Sequence, residues 1–267
     1  MSRGIVSSMW RHPVKGFTPE PVSEALLFPG DFFPFDRLYA LEVGHSGFDA
    51  ENPETISKMK FAVLARFAAV ARLRTRYDEI DDVFEVMDED GKSWLFDMAS
   101  EAGRHSLARH VETMLARHED YDPVAFPLKL LRAPNWDEVH SHFRFTDSAK
   151  GFVSFLNLNS LRDLAQHIGR DLDPLRLRAN IWVEDQAAFE DHDWVGKRIR
   201  LGEEGPEFEV LKTIVRCVAT HVNPQTAEHD IDLCQALWEA YGHKECGIYA
   251  RIVKGGAVRA GDVLRVW

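Results

Sequence analysis

Short runs of β-branched and aromatic residues recur along the whole chain, and this pattern restricts the folds available to it. Turn formers such as Pro29-Gly30-Asp31 and Asp90-Gly91 separate the runs, and the second of these is a hairpin signal. Strands are predicted at residues 4–9, 23–28, 37–43, 70–77, 83–87, 93–96, 180–184, 197–201, 208–211, 213–217, 248–253 and 263–266. Because no Rossmann or P-loop glycine pattern accompanies them, we predict an α+β, mostly β fold built around a barrel.

Helical periodicity is confined to three segments. Apolar residues from Leu107 to Met114 recur at helical spacing, and a second helix is predicted from Ser160, as its N-cap, to a C-cap at Gly169. Asp230 is the predicted N-cap of a third helix, whose apolar face includes Cys234. Few helices among many strands favour a barrel over a doubly wound parallel sheet.

The charge balance excludes several classes of partner. The 267 residues include 43 acidic and 32 basic side chains, for a net charge of −11. Such a chain is expected to bind neither nucleic acid nor an anionic membrane through its general surface. An anionic ligand therefore requires a local pocket of arginine and lysine side chains.

The three cysteines are Cys217, Cys234 and Cys246, too few and too scattered for a disulfide framework. They also cannot hold a plant-type iron–sulfur cluster, which needs four thiolates. The first residues lack the apolar core of a signal peptide, and no apolar run is long enough to span a bilayer. We therefore expect a cytoplasmic protein.

The segment around Cys217 contains the strongest chemical signal. Arg216 precedes the thiol directly, a β-branched run leads into it, and a turn at Pro224 follows, so that the thiol is expected at the end of a strand. A thiolate is both a nucleophile and a soft metal ligand. A buried structural cysteine is the alternative, and it is the interpretation that we favour for Cys234 and Cys246.

Six segments, in the same order, resemble the MOSC family, named for the C-terminal domain of molybdenum cofactor sulfurases. Within that family, the chain resembles bacterial MOSC proteins and the mitochondrial amidoxime-reducing component. The matching segments are His12-Pro13-Val14-Lys15-Gly16, Asp36-Arg37, Leu177-Arg178-Ala179-Asn180-Ile181, Trp194 to Gly202, Arg216-Cys217 with Val222 to Thr226, and Tyr249 to Asp262.

The resemblance implies a β-barrel-like MOSC domain at residues 101–267, packed against an N-terminal β-rich domain at residues 1–100. It also implies a molybdenum cofactor of the molybdopterin type, with Cys217 as metal ligand and catalytic residue. The implied cofactor-binding residues are Lys15, Arg37, Arg178, Asn180 and Arg216.

These residue types suit those roles. Molybdenum accepts soft sulfur ligands, and a phosphate tail suits arginine and lysine side chains. An asparagine amide matches the donors and acceptors of a pterin edge, and Arg216 is expected to keep Cys217 ionised. The chain departs from the usual family pattern at four positions, where it has Gly16 for Ser, Ala179 for Pro, Asn223 for Asp and Ala227 for Gly.

The resemblance implies an oxidoreductase that reduces N-hydroxylated substrates by oxygen-atom transfer, with electrons from a separate flavin or iron–sulfur protein. The alternative is a sulfur or cofactor carrier that passes a persulfide from Cys217. Pyridoxal phosphate is associated with the family only through fusion partners, and no transaminase-like segment is present here. A non-enzymatic partner-binding barrel ranks last, and a metal pair at His140 and His142 lacks a third ligand in the sequence.

Overall fold

The computed structural model describes residues 3–134, 143–150 and 152–267, which form fifteen strands and three α-helices. The strands are β1 (Arg3–Arg11), β2 (Glu20–Val22), β3 (Glu24–Leu27), β4 (Tyr39–Val43), β5 (Arg74–Asp78), β6 (Val83–Met87), β7 (Ser93–Asp97), β8 (Leu128–Arg132), β9 (Val153–Asn157), β10 (Ile181–Glu184), β11 (Arg198–Leu201), β12 (Glu207–Val215), β13 (Glu245–Lys254), β14 (Gly256–Arg259) and β15 (Val263–Val266). The helices are α1 (Glu101–His118), α2 (Leu158–Ile168) and α3 (Leu233–Tyr241).

A closed barrel of seven strands dominates the second half of the chain. Its order is β10-β9-β13-β12-β11-β15-β1, and antiparallel pairing of β1 with β10 closes the ring. The β9–β10 pair is parallel and the other neighbours are antiparallel. The predicted mostly β, barrel-containing fold is thus confirmed, and closure leaves no free edge among these strands.

The barrel interior is filled by the inward-facing residue of each strand, as period-two alternation requires. Phe155, Phe208 and Ile248 are completely buried there, and the indole of Trp194 is almost completely buried with them. The first strand of the chain supplies Val6 to the same core. The N-terminal strand therefore belongs to a barrel that is otherwise built from residues beyond 150.

A second hydrophobic core is built mainly from residues 14 to 145, with Val222 and Ala227 added from the segment after Cys217. It packs the β4–β8 pair, the β5-β6-β7 meander and α1 together, with Val111 and Leu115 of α1 buried in it. The β6–β7 hairpin confirms the turn predicted at Asp90-Gly91. The domain boundary between residues 100 and 101 stays a prediction, although α1, which follows it, packs on β7 and β8.

The third core holds α2 and α3 against the outside of the barrel through Leu161, Leu164 and Leu237. Cys246 is buried in this core, and Cys234 is buried at the first turn of α3, as predicted for both. Within the described residues, no helix is long and apolar enough to cross a membrane.

Several predicted element ends were wrong. Asn157, not Ser160, caps α2, and the Ser160 hydroxyl instead accepts a bond from the Phe189 N–H. Asp232 caps α3, because the carboxylate of Asp230 is engaged by Arg176. Gly169 does end α2 in a left-handed conformation, as predicted.

The predicted strand at residues 70–77 is also shorter than expected. Residues 68–72 form a 3₁₀ turn buried against the second core, and the strand begins only at Arg74. The small side chains of this segment allow a helical turn to pack closely against that core. The prediction was wrong because β-propensity does not include such tertiary packing.

Candidate functional site

A cavity of about 230 Å³ lies where the barrel meets the second core. All the residues that the resemblance implicates line it, namely Lys15, Arg37, Arg178, Asn180, Arg216 and Cys217. The structure thus brings together side chains that are up to 202 positions apart. Their roles in cofactor binding stay predictions.

The cavity is strongly positive in a protein that is negative overall. Seven cationic side chains line it, and Asp147 is the single carboxylate among the described lining residues. Four of the charged lining residues lie outside the family-like segments, namely Lys58, Asp147, Arg176 and Lys212. Fixed cations facing one another in this way repel, so an anionic ligand is expected to offset part of their repulsion.

Lys15 is buried in the cavity wall and bound to the segment before β9. Its Nζ donates to the Phe145 carbonyl at 2.8 Å and forms an ion pair with Asp147. Burial lowers the pKa of Lys15, because the loss of hydration outweighs the attraction of Asp147. Asp147 lies in the segment at 143–150, which precedes β9 in the chain.

Arg37 adopts a left-handed backbone conformation with φ at +49°, which directs it toward Arg178. It pairs with the buried Asp36 and donates from Nη2 to the Arg178 carbonyl at 3.0 Å. Although burial opposes its charge, the Asp36 carboxylate raises the pKa of Arg37. The arginine is therefore permanently charged and rigidly held.

The guanidinium group of Arg178 is only partly hydrogen-bonded. Its backbone is also left-handed, with φ at +53°, and its Nη1 donates to the Phe17 carbonyl at 2.7 Å. Its Nη2 is shielded from solvent and has no hydrogen-bond partner among the described residues. Burial and the neighbouring Arg37 lower the pKa of Arg178 to about 9, which still leaves it charged at neutral pH.

The cation in contact with the Cys217 thiol is Lys58, not Arg216. Lys58 Nζ lies 2.8 Å from Sγ and 3.7 Å from a carboxylate oxygen of Asp147. Burial opposes its charge, but these two contacts raise the pKa of Lys58 overall. Lys58 precedes Cys217 by 159 positions and no local motif marks it, so its contact with the thiol was not predictable from the sequence.

Arg216 instead holds the backbone beneath the thiol. Its Nη1 donates to the Leu177 carbonyl at 2.7 Å, and its Nε donates to the Cys246 carbonyl at 2.7 Å. The expectation that Arg216 helps to keep Cys217 ionised stays a prediction, but its guanidinium group bonds to these two carbonyls and not to the thiol. The physical reason is that consecutive residues leaving β12 point to opposite sides, so that one enters the cavity and its neighbour enters the wall.

Asn180 lines the cavity, but its amide already has structural partners. Its Oδ1 accepts bonds from the Ser154 hydroxyl at 2.7 Å and from the Ser154 N–H, and its Nδ2 donates to the Trp10 carbonyl. These bonds tie together β9, β1 and the segment entering β10. Contact between Asn180 and a pterin stays a prediction, and the structure adds a role in holding the cavity wall.

Glycine at position 16 is required by the backbone. Its φ is +89°, and an added Cβ would lie 2.6 Å from the Ala62 carbonyl oxygen. Only glycine tolerates both the dihedral angle and that approach. The chain therefore has glycine at position 16, where the family usually has serine, because the segment at 62–63 packs directly against this residue.

The buried carboxyl of Asp191 yields a prediction about pH. Burial raises the pKa of Asp191 to about 6, despite the opposing charge of Arg216. The unfolded chain releases this proton more easily than the folded one, so the free energy of unfolding should fall as pH rises from about 4 to about 7. In the parent, the free energy of unfolding is expected to fall by about 3 kcal/mol over this range, and Asp191→Asn should abolish that decrease.

Urea unfolding of the parent and of Asp191→Asn across that pH range measures this difference directly. The prediction is wrong if the two proteins show parallel pH profiles. Because the comparison subtracts every other titrating group, it isolates Asp191 alone.

The remaining sequence candidates lie elsewhere. His140 and His142, considered as a metal pair, fall outside the described residues. Tyr249, from the last of the family-like segments, lies on the cavity wall, and burial raises the pKa of its hydroxyl. It therefore presents a protonated phenol to the cavity at neutral pH.

Comparisons with known proteins match both halves of the chain. The MOSC N-terminal beta barrel domain matches residues 3–127, and the MOSC domain matches residues 142–265. Molybdenum cofactor sulfurase of Caenorhabditis briggsae is 36% identical over 132 residues, which cover 45% of this chain. The match spans only 18% of that relative's length.

Two solved structures are also similar. The YuaD protein from Bacillus subtilis is 12% identical with a TM-score of 0.46, over 99% of this chain and 96% of that one. YiiM from Geobacillus stearothermophilus is 18% identical with a TM-score of 0.35, over 44% of this chain and 55% of that one.

Proposed function

The chain belongs to the MOSC family, and from that premise we propose that it binds a molybdopterin-type molybdenum cofactor and reduces N-hydroxylated substrates. The observation that carries the proposal is the incompletely bonded guanidinium group of Arg178: its Nη2 has no hydrogen-bond partner among the described residues, and the side chain lines a cavity that also holds the Cys217 thiol. A guanidinium donor left without a partner is costly, and an anionic ligand would satisfy it.

The donor set fits this cofactor in two respects. Arg37, Arg178 and Lys15 supply fixed cations for a phosphate group, and Cys217 supplies a sulfur ligand for the metal. The thiol is only partly buried, so it is accessible from the cavity. When bound, the cofactor would supply two-electron oxygen-atom chemistry, which none of these side chains can perform.

The protein's own residues prepare that chemistry. The Arg37 guanidinium group donates a hydrogen bond to the Arg178 carbonyl. This bond fixes the two arginines relative to each other, so little reorganisation is needed when the cofactor binds. Lys58 places its ammonium group 2.8 Å from the Cys217 sulfur and donates a hydrogen bond to it. Reduction of a hydroxylamine consumes two electrons and two protons and yields an amine and water.

The electrons are proposed to come from a separate flavin or iron–sulfur protein. The three cysteines, Cys217, Cys234 and Cys246, are too few for an iron–sulfur cluster with four thiolate ligands.

Activity is tested with cofactor-loaded protein, a chemically reduced electron donor, and an amidoxime or a hydroxylamine. Mass spectrometry of the amidine or amine product gives the rate. Product formation that depends on bound molybdenum supports the proposal, whereas a loaded protein that forms no product from either substrate contradicts the reductase function.

The role of Lys58 is testable without the cofactor. We expect Lys58→Gln to slow alkylation of Cys217 by iodoacetamide at neutral pH by roughly three- to tenfold, because the thiolate loses its adjacent cation. Lys212→Gln is the matched control, since it removes the same charge from the same cavity but not from the sulfur. Peptide mass spectrometry distinguishes Cys217 from the two other cysteines. Equal rates in the parent and in Lys58→Gln would contradict this role.

The carrier function remains the second candidate, and the accessible, lysine-paired thiol favours it as well. A persulfide on Cys217 would be held by the same ammonium group, and the curated relative is itself named a cofactor sulfurase. Metal content and persulfide labelling separate the two candidates, as described below for Cys217→Ser.

A further inference from the structure

A cluster of three different ligand types lies next to the cavity, just beyond Cys217. His221 ends the 3₁₀ turn that starts after Cys217, Asp232 caps α3, and Cys234 occupies the first turn of that helix. One imidazole nitrogen, one carboxylate oxygen and one sulfur lie within 4.8 Å of one another. His221 Nε2 is 3.1 Å from Asp232 Oδ1, and the Cys234 N–H approaches the same nitrogen at 3.5 Å.

We propose that His221, Asp232 and Cys234 bind a divalent transition-metal ion of the zinc class. Nitrogen, oxygen and sulfur donors converging on one point match the ligand preference of zinc, with the fourth position left to water. The thiolate disfavours magnesium and calcium, which take oxygen ligands. This site is separate from the one proposed for molybdenum, which uses Cys217.

The backbone positions of the three ligands are fixed by the 3₁₀ turn of residues 218–221 and by the start of α3. His221 and Asp232 are joined by a loop that Arg176 holds through bonds to the His221 carbonyl and to Asp230. Arg176 is itself buried, so the loop has a rigid anchor. Metal binding therefore requires small side-chain shifts, rather than folding of a mobile segment.

Occupancy of this site would affect the catalytic cavity. The 3₁₀ turn of residues 218–221 has Cys217 at one end and His221 at the other. A metal that joins His221 to α3 would fix this turn and hence the position of the thiol. Binding releases the Cys234 thiol proton to solvent, His221 binds through Nε2 as the neutral imidazole with its proton on Nδ1, and no electron is transferred.

Cobalt titration of the full chain tests the site, because four-coordinate cobalt with a thiolate ligand has intense visible and near-ultraviolet absorption. The titration is done in a Cys217→Ser background, so that the thiolate signal cannot come from the cavity. We expect saturation at one equivalent, a thiolate-to-cobalt band, and displacement by zinc but not by magnesium.

Three variants in that background complete the test. Cys234→Ser should abolish the thiolate band, and Asp232→Asn should weaken affinity by at least about tenfold, the loss that even an outer-shell change causes. Asparagine also caps helices, so Asp232→Asn keeps α3 intact. Cys246→Ala, which removes a thiol buried away from the site, should behave like the background protein.

No cobalt–thiolate band in the background protein, or a band that persists in Cys234→Ser, would overturn the proposal. Neither result depends on molybdenum, so the outcome is independent of the proposed reductase function.

Discussion

Replacing Cys217 by serine is expected to lower the molybdenum content of protein made in cofactor-producing cells by about tenfold or more. Serine preserves the size of the side chain but removes the soft sulfur donor, and its hydroxyl stays protonated at neutral pH. The cationic side chains remain in place, so residual binding of the organic part of the cofactor is expected. Inductively coupled plasma mass spectrometry after gel filtration measures the metal.

Cys246→Ala is the control for this experiment, because Cys246 is buried and burial raises the pKa of its thiol to about 12. It should retain parental metal content. Equal molybdenum in Cys217→Ser and in the parent would show that Cys217 is not the metal ligand. Folded parent protein without molybdenum, but with a persulfide on Cys217, would instead favour the carrier function.

Arg178→Met is expected to have opposite effects on cofactor retention and on stability. The variant loses a charged side chain that lines the cavity and whose Nη2 has no partner among the described residues, and a hydrogen bond to a charged group contributes about 1.5–3 kcal/mol. We therefore expect cofactor affinity to fall by roughly 10- to 150-fold. Retained molybdenum and phosphate after extensive dialysis measure this loss.

The cofactor-free variant should nevertheless be more stable than the parent. Burial and repulsion from Arg37 disfavour the charge of Arg178, which is why its pKa is lowered. Methionine avoids that cost but loses the bond to the Phe17 carbonyl, so we expect a net gain of about 1–3 kcal/mol. Urea unfolding of the cofactor-free proteins provides the measurement.

The variant Arg178→Lys distinguishes the contribution of the positive charge from that of the planar guanidinium group. Arg178→Lys keeps the cation without the planar pair of donors, so it should retain the instability while losing part of the affinity. If Arg178→Met lowers both stability and affinity, Arg178 is a structural residue of the cavity wall and not a binding residue.

Several features followed from the sequence because they depend on local pattern. Short runs of β-branched and aromatic residues marked most of the barrel strands, and Gly169 marked the end of α2. The net charge of −11 required any anion site to be a local basic pocket, and the structure has such a pocket. The family-like segments identified Lys15, Arg37, Arg178 and Cys217 before their proximity was known.

Only the tertiary structure decided which charges meet. Lys58 reaches Cys217 across 159 positions, and Arg216 turns into the wall although it is adjacent to the thiol in sequence. The pairing of β1 with β10 and β15 likewise places the first strand in a barrel made from the far end of the chain. Periodicity and turn chemistry are properties of neighbouring residues, whereas these contacts are set by how the strands close and the cores pack.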